Sequence, residues 1–180
     1  MNPCRFSPCR RYRYTLTHDV ADLFSAPSGH GYVAWIGLNP SRADESRLDP
    51  TLWRVRAYTN RFGFRAFKML NLFAYRAPDP RVLKRAADPV GPENDHHLLE
   101  VCRQAALVVC CWGAGGQYRD RDRAVIELLR GIPLHALALS KMGHPRHPLY
   151  LKGTCWPMPF AGSLAIRCAA VMAGVVRGKA

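Results

Sequence analysis

Tyr32-Val33-Ala34-Trp35-Ile36, followed at once by Gly37-Leu38-Asn39-Pro40-Ser41, is the stretch that decides the fold of this 180-residue chain. The apolar run lacks polar alternation, which predicts a strand covered by helices on both faces. The glycine permits a tight turn and the proline fixes the backbone, so the strand is predicted to end in a rigid turn. Asn39 and Ser41 are therefore expected just past the carboxyl end of the strand, where α/β proteins bind ligands.

The rest of the chain alternates strand-like and helix-like segments. Three further buried strands are predicted over residues 67–72, 106–111 and 134–139, and an edge strand over 11–17. Helices are predicted over 50–62, 92–104 and 120–129, with a short one beginning at 79. This order predicts a three-layer α/β/α fold with a mainly parallel four-stranded sheet and right-handed crossovers. We expect one domain over residues 11–180 after a loose N-terminal segment, 1–10.

Basic residues outnumber acidic residues by 26 to 13, which gives a formal net charge of +13 and a sequence pI near 9.9. This excess favours a polyanionic partner, nucleic acid or a nucleotide, over the alternative of a soluble protein that is simply rich in arginine.

Seven cysteines, an odd number, favour a reduced cytoplasmic protein over a disulfide framework. The first residues lack the apolar segment of a signal peptide. The longest apolar stretch, residues 164–176, is interrupted by Arg167 and is too short to cross a bilayer. A packed terminal helix is expected there, with a membrane-surface helix as the alternative. We expect a cytoplasmic monomer without a membrane partner.

Four segments with polar or small residues follow the four predicted central strands. They are Gly37-Leu38-Asn39-Pro40-Ser41, Asn71, Trp112-Gly113 and the loop 144–149. Each has a purely structural alternative: turn residues at the two asparagines, a core tryptophan, and a solvated basic loop. The carboxyl ends of parallel strands meet at one edge of a sheet, so these segments are expected to converge on one crevice.

The residue types at this crevice suit hydrogen bonding to a ligand. The amides of Asn39 and Asn71 can position a water molecule or read the edge of a base. His144, Arg146 and His147 can donate to a phosphate or to a developing oxyanion. The glycine-rich segment 113–116 is followed by no Gly-Lys-Ser/Thr, and the chain contains no C-x-x-C. We therefore expect neither a cofactor nor a metal.

Over about residues 11–160 the chain resembles a family of bacterial proteins, the domain of unknown function 1643. The resemblance rests on the segments Gly37-Leu38-Asn39-Pro40-Ser41-Arg42-Ala43-Asp44, Asp49-Pro50-Thr51, Asn71-Leu72-Phe73-Ala74-Tyr75-Arg76-Ala77, Gly91-Pro92-Glu93-Asn94-Asp95, Trp112-Gly113 and Gly143-His144-Pro145-Arg146-His147-Pro148-Leu149-Tyr150. That family implies no activity.

The order of the same motifs also resembles, more distantly, the uracil-DNA glycosylase superfamily. This second resemblance implies a glycosylase-like fold and excision of a base flipped out of DNA. By position, Asn39 would orient a water at the anomeric carbon and Asn71 would hydrogen-bond the base. Gly37, Leu38, Pro40 and Ser41 would frame the base-binding turn.

The resemblance implies the remaining roles less directly. His144 or His147 would donate to the departing base anion, and Phe62 or Phe64 would stack on the base. Leu149 or Arg146 would fill the gap in the base stack. Other arginines expected to face phosphate are Arg42 and Arg76.

The most active members of that superfamily carry an aspartate where this chain has Asn39. Asp44 or Asp95 would then have to supply a carboxylate. The expected function is excision of a modified or damaged base from nucleic acid, with DNA as the partner. Two alternatives stay open, a non-catalytic nucleic-acid-binding module and an enzyme acting on a small nucleotide or nucleoside.

Overall fold

The computed structural model describes residues 4–20, 31–40, 49–77 and 79–160. The predicted C-terminal helix, residues 164–176, lies outside these ranges. Within them the strands are β1 Cys4–Phe6, β2 Arg13–Asp19, β3 Tyr32–Gly37, β4 Ala66–Asn71, β5 Leu107–Cys110, β6 Leu134–Ala136 and β7 Met158–Pro159. The α-helices are α1 Pro50–Arg61, α2 Pro80–Arg85, α3 Asn94–Gln104 and α4 Arg121–Leu128. None of these helices is long and apolar enough to cross a membrane.

The strands form one mixed seven-stranded sheet in the order β1-β2-β4-β3-β5-β6-β7. The inner strands β4, β3, β5 and β6 are parallel, which confirms the predicted parallel core. The antiparallel strands β1, β2 and β7 extend the sheet at both sides.

Two predictions at the N-terminus are wrong. Residues 4–6 belong to the segment expected to be loose, yet they form β1 and pair with β2. The side chain of Cys4 is buried in the core, which holds this short strand in place. Strand β2, predicted at the sheet edge, therefore lies between β1 and β4.

Helices cover both faces of the sheet. Neighbouring residues of β3 point to opposite faces, so this strand contributes to an apolar cluster on each side. Val33 and Trp35 pack with α1 residues such as Val55 in one apolar cluster. Ala34 and Ile36 pack in a second cluster, which includes Leu98 of α3 and Val125 of α4. The indole nitrogen of Trp35 donates to Thr59 Oγ1 of α1 at 3.1 Å, so this large residue is buried without an unpaired polar group.

The connectivity places a topological switch point at the carboxyl ends of the parallel strands. From β3 the chain passes through α1 to β4 on one side, and from β4 it returns to β5 on the other side of β3. In open α/β sheets, the loops that leave such neighbouring strands diverge to opposite faces and open a crevice for ligands.

Candidate functional site at the carboxyl ends of the parallel strands

A cleft of about 370 Å³ opens at this switch point. It lies within the range of small-molecule sites, which is roughly 300–1,000 Å³. Its walls come from β2, from the ends of β3, β4 and β5, from the start of α1, and from the segment after β6. The lining residues are Arg13, Gly37, Leu38, Asn39, Asp49, Thr51, Leu52, Met69, Asn71, Trp112, His147 and Tyr150.

Asn39 presents an acceptor to the cleft. Its Nδ2 donates to the backbone carbonyls of Ala77 at 2.7 Å and Pro40 at 3.2 Å. Carbonyl oxygens only accept, so the amide nitrogen has to face them and Oδ1 has to face away. Oδ1 faces away from both carbonyls and accepts no hydrogen bond from the described residues.

Asn71 presents an unpaired donor. Its side chain is only 2% exposed, and its Nδ2 is buried without a hydrogen-bond partner in the described part of the chain. Gly37 allows this close packing, since a Cβ there would lie 3.1 Å from Asn71 Oδ1. An unsatisfied buried donor costs about 1–3 kcal/mol, so such a group in a cleft wall points to a ligand that supplies an acceptor.

His147 presents a hydrogen-bond donor, the Nε2–H of its neutral ring. Its Nδ1 accepts a hydrogen bond from the backbone N–H of Leu149 at 3.3 Å, so the proton of the neutral ring is on Nε2. Burial lowers the pKa of His147, and the nearby Asp49 carboxylate partly offsets this by raising it. The ring is therefore neutral at pH 7 and can donate from Nε2.

Asp49 is the one carboxylate among the described residues that line the cleft. It is also the N-cap of α1, where its Oδ1 accepts from the backbone N–H of Leu52 at 2.8 Å. The cap fixes the carboxylate at the cleft wall, close enough to act electrostatically on His147.

Asp49→Asn is expected to lower the pKa of His147 further, because it removes a carboxylate charge that favours the imidazolium. Asparagine caps helices as well as aspartate does, so α1 should be retained. NMR titration of the His147 Cε1 proton measures the shift. Asp79→Asn is the matched control, since Asp79 caps α2 in the same way, and a His147 pKa that rises or stays constant in Asp49→Asn contradicts the coupling.

The loop 144–149 reaches the cleft because backbone hydrogen bonds fold it against β5 and the end of β6. Gly113 N donates to Pro145 O, and Arg146 N donates to Ala138 O, each at 2.8 Å. The loop then brings His147 into the lining, whereas His144 is not part of it. Of the two histidines considered as donors to the departing base anion, the structure therefore places only His147 at the cleft.

A second set of side chains holds the end of β4 from behind the cleft. Asn94 Nδ2 donates to the carbonyls of Asn71 at 3.1 Å and Leu72 at 3.0 Å. Arg121 Nε donates to the Leu72 carbonyl at 2.8 Å, and its guanidinium pairs with Asp95. Asp95 is therefore engaged in a structural ion pair.

Comparison with known proteins identifies the family. A family model described as "Protein of unknown function (DUF1643)" matches residues 13–149. The chain belongs to this family. No curated protein and no solved structure gives a significant match.

The DUF1643 span contains every described residue of the cleft lining except Tyr150. The comparisons thus confirm the resemblance to the domain of unknown function 1643. They give no support to the resemblance to the uracil-DNA glycosylase superfamily.

In this DUF1643 protein, the structure brings together five of the residues predicted from sequence. The five that line the cleft are Gly37, Leu38, Asn39, Asn71 and His147. Pro40 is buried directly after them. Ser41, Arg42 and Asp44 lie outside the described residues.

Other predicted site residues lie elsewhere. Phe62 is in the core, stacked on Trp35 with ring centroids 6.4 Å apart, and Phe64 packs against the same cluster. Neither lines the cleft, so the structure does not place Phe62 or Phe64 beside a base bound there. Arg76 packs over Phe6 of β1 at 5.0 Å, away from the lining.

Arg146 and Leu149 are exposed outside the cleft lining.

Sequence reasoning missed several lining residues. The Asp-Pro-Thr segment at 49–51 is a recognisable helix start, and this signal could have placed Asp49 beside the crevice. Arg13 belongs to the predicted edge strand, and the structure buries it at the cleft. Tyr150, which contacts His147 with ring centroids 5.6 Å apart, has no sequence signal.

No group of three or more His, Cys, Asp or Glu side chains that could hold a metal occurs in the described ranges. Burial raises the pKa of the Cys111 thiol to about 12, and that of Cys110 is also raised well above its ordinary value. These thiols are therefore protonated and pack as small apolar side chains.

Proposed function

We propose that this protein hydrolyses the N-glycosidic bond of a modified or damaged base in nucleic acid, with DNA as the first candidate. The observation that carries the proposal is a set of three hydrogen-bonding groups at one cleft. Nδ2 of Asn71 is buried without a partner among the described residues, Oδ1 of Asn39 faces away from the carbonyls that its Nδ2 binds, and Nε2 of His147 carries the proton of the neutral ring. The acceptor suits a water molecule that acts as the nucleophile, and the two donors suit the oxygen and nitrogen atoms of a base.

Asn71 would recognise the base. Its buried Nδ2 lacks an acceptor, and the exocyclic carbonyl of a base supplies one. A duplex hides the glycosidic bond, so the nucleotide has to flip out of the stack before its base can enter the cleft.

Asn39, Asp49 and His147 would carry the chemistry. Oδ1 of Asn39 accepts a hydrogen bond from water and directs the water oxygen at the anomeric carbon. The new carbon–oxygen bond forms as the carbon–nitrogen bond breaks, and the electron pair leaves with the base. Asp49 takes the proton of the water, and Nε2–H of His147 hydrogen-bonds the base anion. This last bond strengthens as charge develops, which lowers the barrier.

His147→Ala is expected to slow excision by about 10²–10³-fold, the usual cost of losing one donor to a developing anion. His144→Ala is the matched control, and its rate should stay close to wild type because His144 is outside the cleft lining. The measurement uses duplex and single-stranded oligonucleotides that carry uracil, hydroxymethyluracil, hypoxanthine or other modified bases. Alkali then cleaves the abasic product.

Each other outcome rejects the proposal in a distinct way. Folded protein that binds these oligonucleotides in a salt-dependent manner, without cleaving any of them, is a binding module. Cleavage of free nucleosides or nucleotides, with oligonucleotides left intact, identifies an enzyme of small nucleotides. Equal losses in His144→Ala and His147→Ala overturn the assignment of the donor.

A further inference from the structure

The outer face of α1 and the segment 150–158 form one continuous surface, which we call the α1 face. Arg54 Nη2 donates to the Leu151 carbonyl at 2.7 Å, and Tyr58 OH donates to the Lys152 carbonyl at 2.6 Å. Arg61 donates to the Gly153 carbonyl one turn further along the helix. The segment is thereby fixed along a helix of 12 residues, which spans about 18 Å.

Large aromatic rings are exposed on the α1 face. Trp53 is 54% exposed, Trp156 49% and Tyr150 74%. An arginine lies beside each indole: Arg56 is 5.4 Å from the ring centre of Trp53, and Arg61 is 5.0 Å from that of Trp156. Exposed aromatic rings interleaved with cations form the platforms on which unpaired bases stack.

Charge is unevenly distributed along the chain after Asp49, the N-cap of α1. Residues 50–78 and 128–160, which include the α1 face, contain ten Lys or Arg and no Asp or Glu. Residues 79–127, which include α2, α3 and α4, contain eight Asp or Glu against seven Lys or Arg. Because Arg54 and Arg61 donate to uncharged carbonyls, those bonds leave their positive charge available to a polyanion.

The α1 face is continuous with the cleft. Thr51 and Leu52, in the first turn of α1, line the cleft just before Trp53. Tyr150 belongs to both, since it lines the cleft and is also the most exposed ring of the face. A strand whose base occupies the cleft would therefore pass directly onto this surface.

We propose that the α1 face binds single-stranded nucleic acid next to the nucleotide in the cleft. Its arginines contact phosphates, and Trp53 and Trp156 stack on bases. Paired bases in a duplex are stacked on each other and offer no free ring face, so the surface favours a single strand. The inference rests on the proposed function for the ligand of the cleft, whereas the surface itself is tested by binding alone.

Fluorescence anisotropy of a labelled mixed-sequence oligonucleotide of about 20 nucleotides, longer than the roughly 4–16 that a single-strand-binding fold covers, tests this surface. We expect the single strand to bind more tightly than the same sequence as a duplex. Affinity should fall between about 50 and 200 mM salt. Trp53→Ala should weaken single-strand binding by about 5- to 150-fold, the loss expected for one base–aromatic stack.

Arg61→Gln and Arg103→Gln form a matched pair. Each removes an exposed arginine from the last turn of a helix, α1 and α3 respectively. Each also lowers the formal charge of +13 by one. Arg61→Gln should weaken binding and reduce the salt slope by about one unit, and Arg103→Gln should do neither.

Three results overturn the inference: equal losses in the two arginine variants, normal binding by Trp53→Ala, or tighter binding of the duplex. The proposed function fails separately. If the single strand binds as expected but no base is excised, the surface stands and the glycosylase assignment does not. If the protein excises a base but Trp53→Ala binds single strands normally, the glycosylase assignment stands and the α1 face does not.

Discussion

Asn71→Leu is expected to abolish base excision while raising the free energy of unfolding by about 1 kcal/mol. The substitution removes a buried donor that has no partner in the described structure, and such a group costs about 1–3 kcal/mol. Leucine has a similar shape, so the cleft wall should keep its packing. Urea denaturation measures the stability, and the oligonucleotide assay measures the activity.

Asn94→Leu makes the same chemical change at the first residue of α3. Unlike Asn71→Leu, it should lower the free energy of unfolding. Asn94 is fully buried and donates to the carbonyls of Asn71 and Leu72. Its loss leaves the Asn71 carbonyl without this donor, and we expect the free energy of unfolding to fall by about 2 kcal/mol. If Asn71→Leu destabilises the protein as much as Asn94→Leu does, the Asn71 amide has a structural role. The proposal that Asn71 recognises the base is then rejected.

Opposite stability effects at Asn71 and Asn94 would separate two uses of one residue type. The Asn94 amide contributes to stability through the two hydrogen bonds that its Nδ2 donates, although its Oδ1 is buried without a partner among the described residues. An amide whose donor is left unpaired in a cleft weakens the fold until a ligand arrives, which is the expected signature of a binding group.

The central part of the fold could be predicted because its strands are buried on both faces. Apolar runs such as 32–36 are long enough to be recognised, and α1, α2 and α4 each begin at a Pro or directly after an Asp. Strands β1 and β7 have three and two residues. Such short strands form through pairing with a neighbour, so they leave no periodic pattern in the sequence.

The candidate site was predictable where it follows strand ends and unpredictable where it depends on tertiary packing. Asn39 and Asn71 follow directly from the strand pattern. The choice of His147 over His144 depends on how the loop hydrogen-bonds to Gly113 and Ala138, which no local pattern records. The burial of Arg13 likewise depends on its place between strands, because alternation alone assigns it to the exposed face.

Asn39→Asp is expected to destabilise the protein at pH 7 by about 2–3 kcal/mol, and not to increase activity. The amide nitrogen of Asn39 faces two carbonyl oxygens, at 2.7 and 3.2 Å. A carboxylate there loses both hydrogen bonds and places an anionic oxygen against acceptors. The superfamily resemblance predicts instead that an aspartate at this position raises activity, so the two arguments make opposite predictions for one variant.

The pH dependence of Asn39→Asp identifies the cause. The two carbonyls favour the protonated carboxyl, so its pKa in the folded state should lie above the unfolded value of about 3.9. Stability is then lost as the pH rises from the pKa of the unfolded state to that of the folded state. The free energy of unfolding should therefore differ from wild type more at about pH 7 than at about pH 4.5. Gln117→Glu, the same amide-to-acid change at an exposed position, should show little effect at either pH. A stable, pH-independent and more active Asn39→Asp variant would mean that position 39 is built for a general base, and that the amide contacts with Ala77 and Pro40 do not constrain the chemistry.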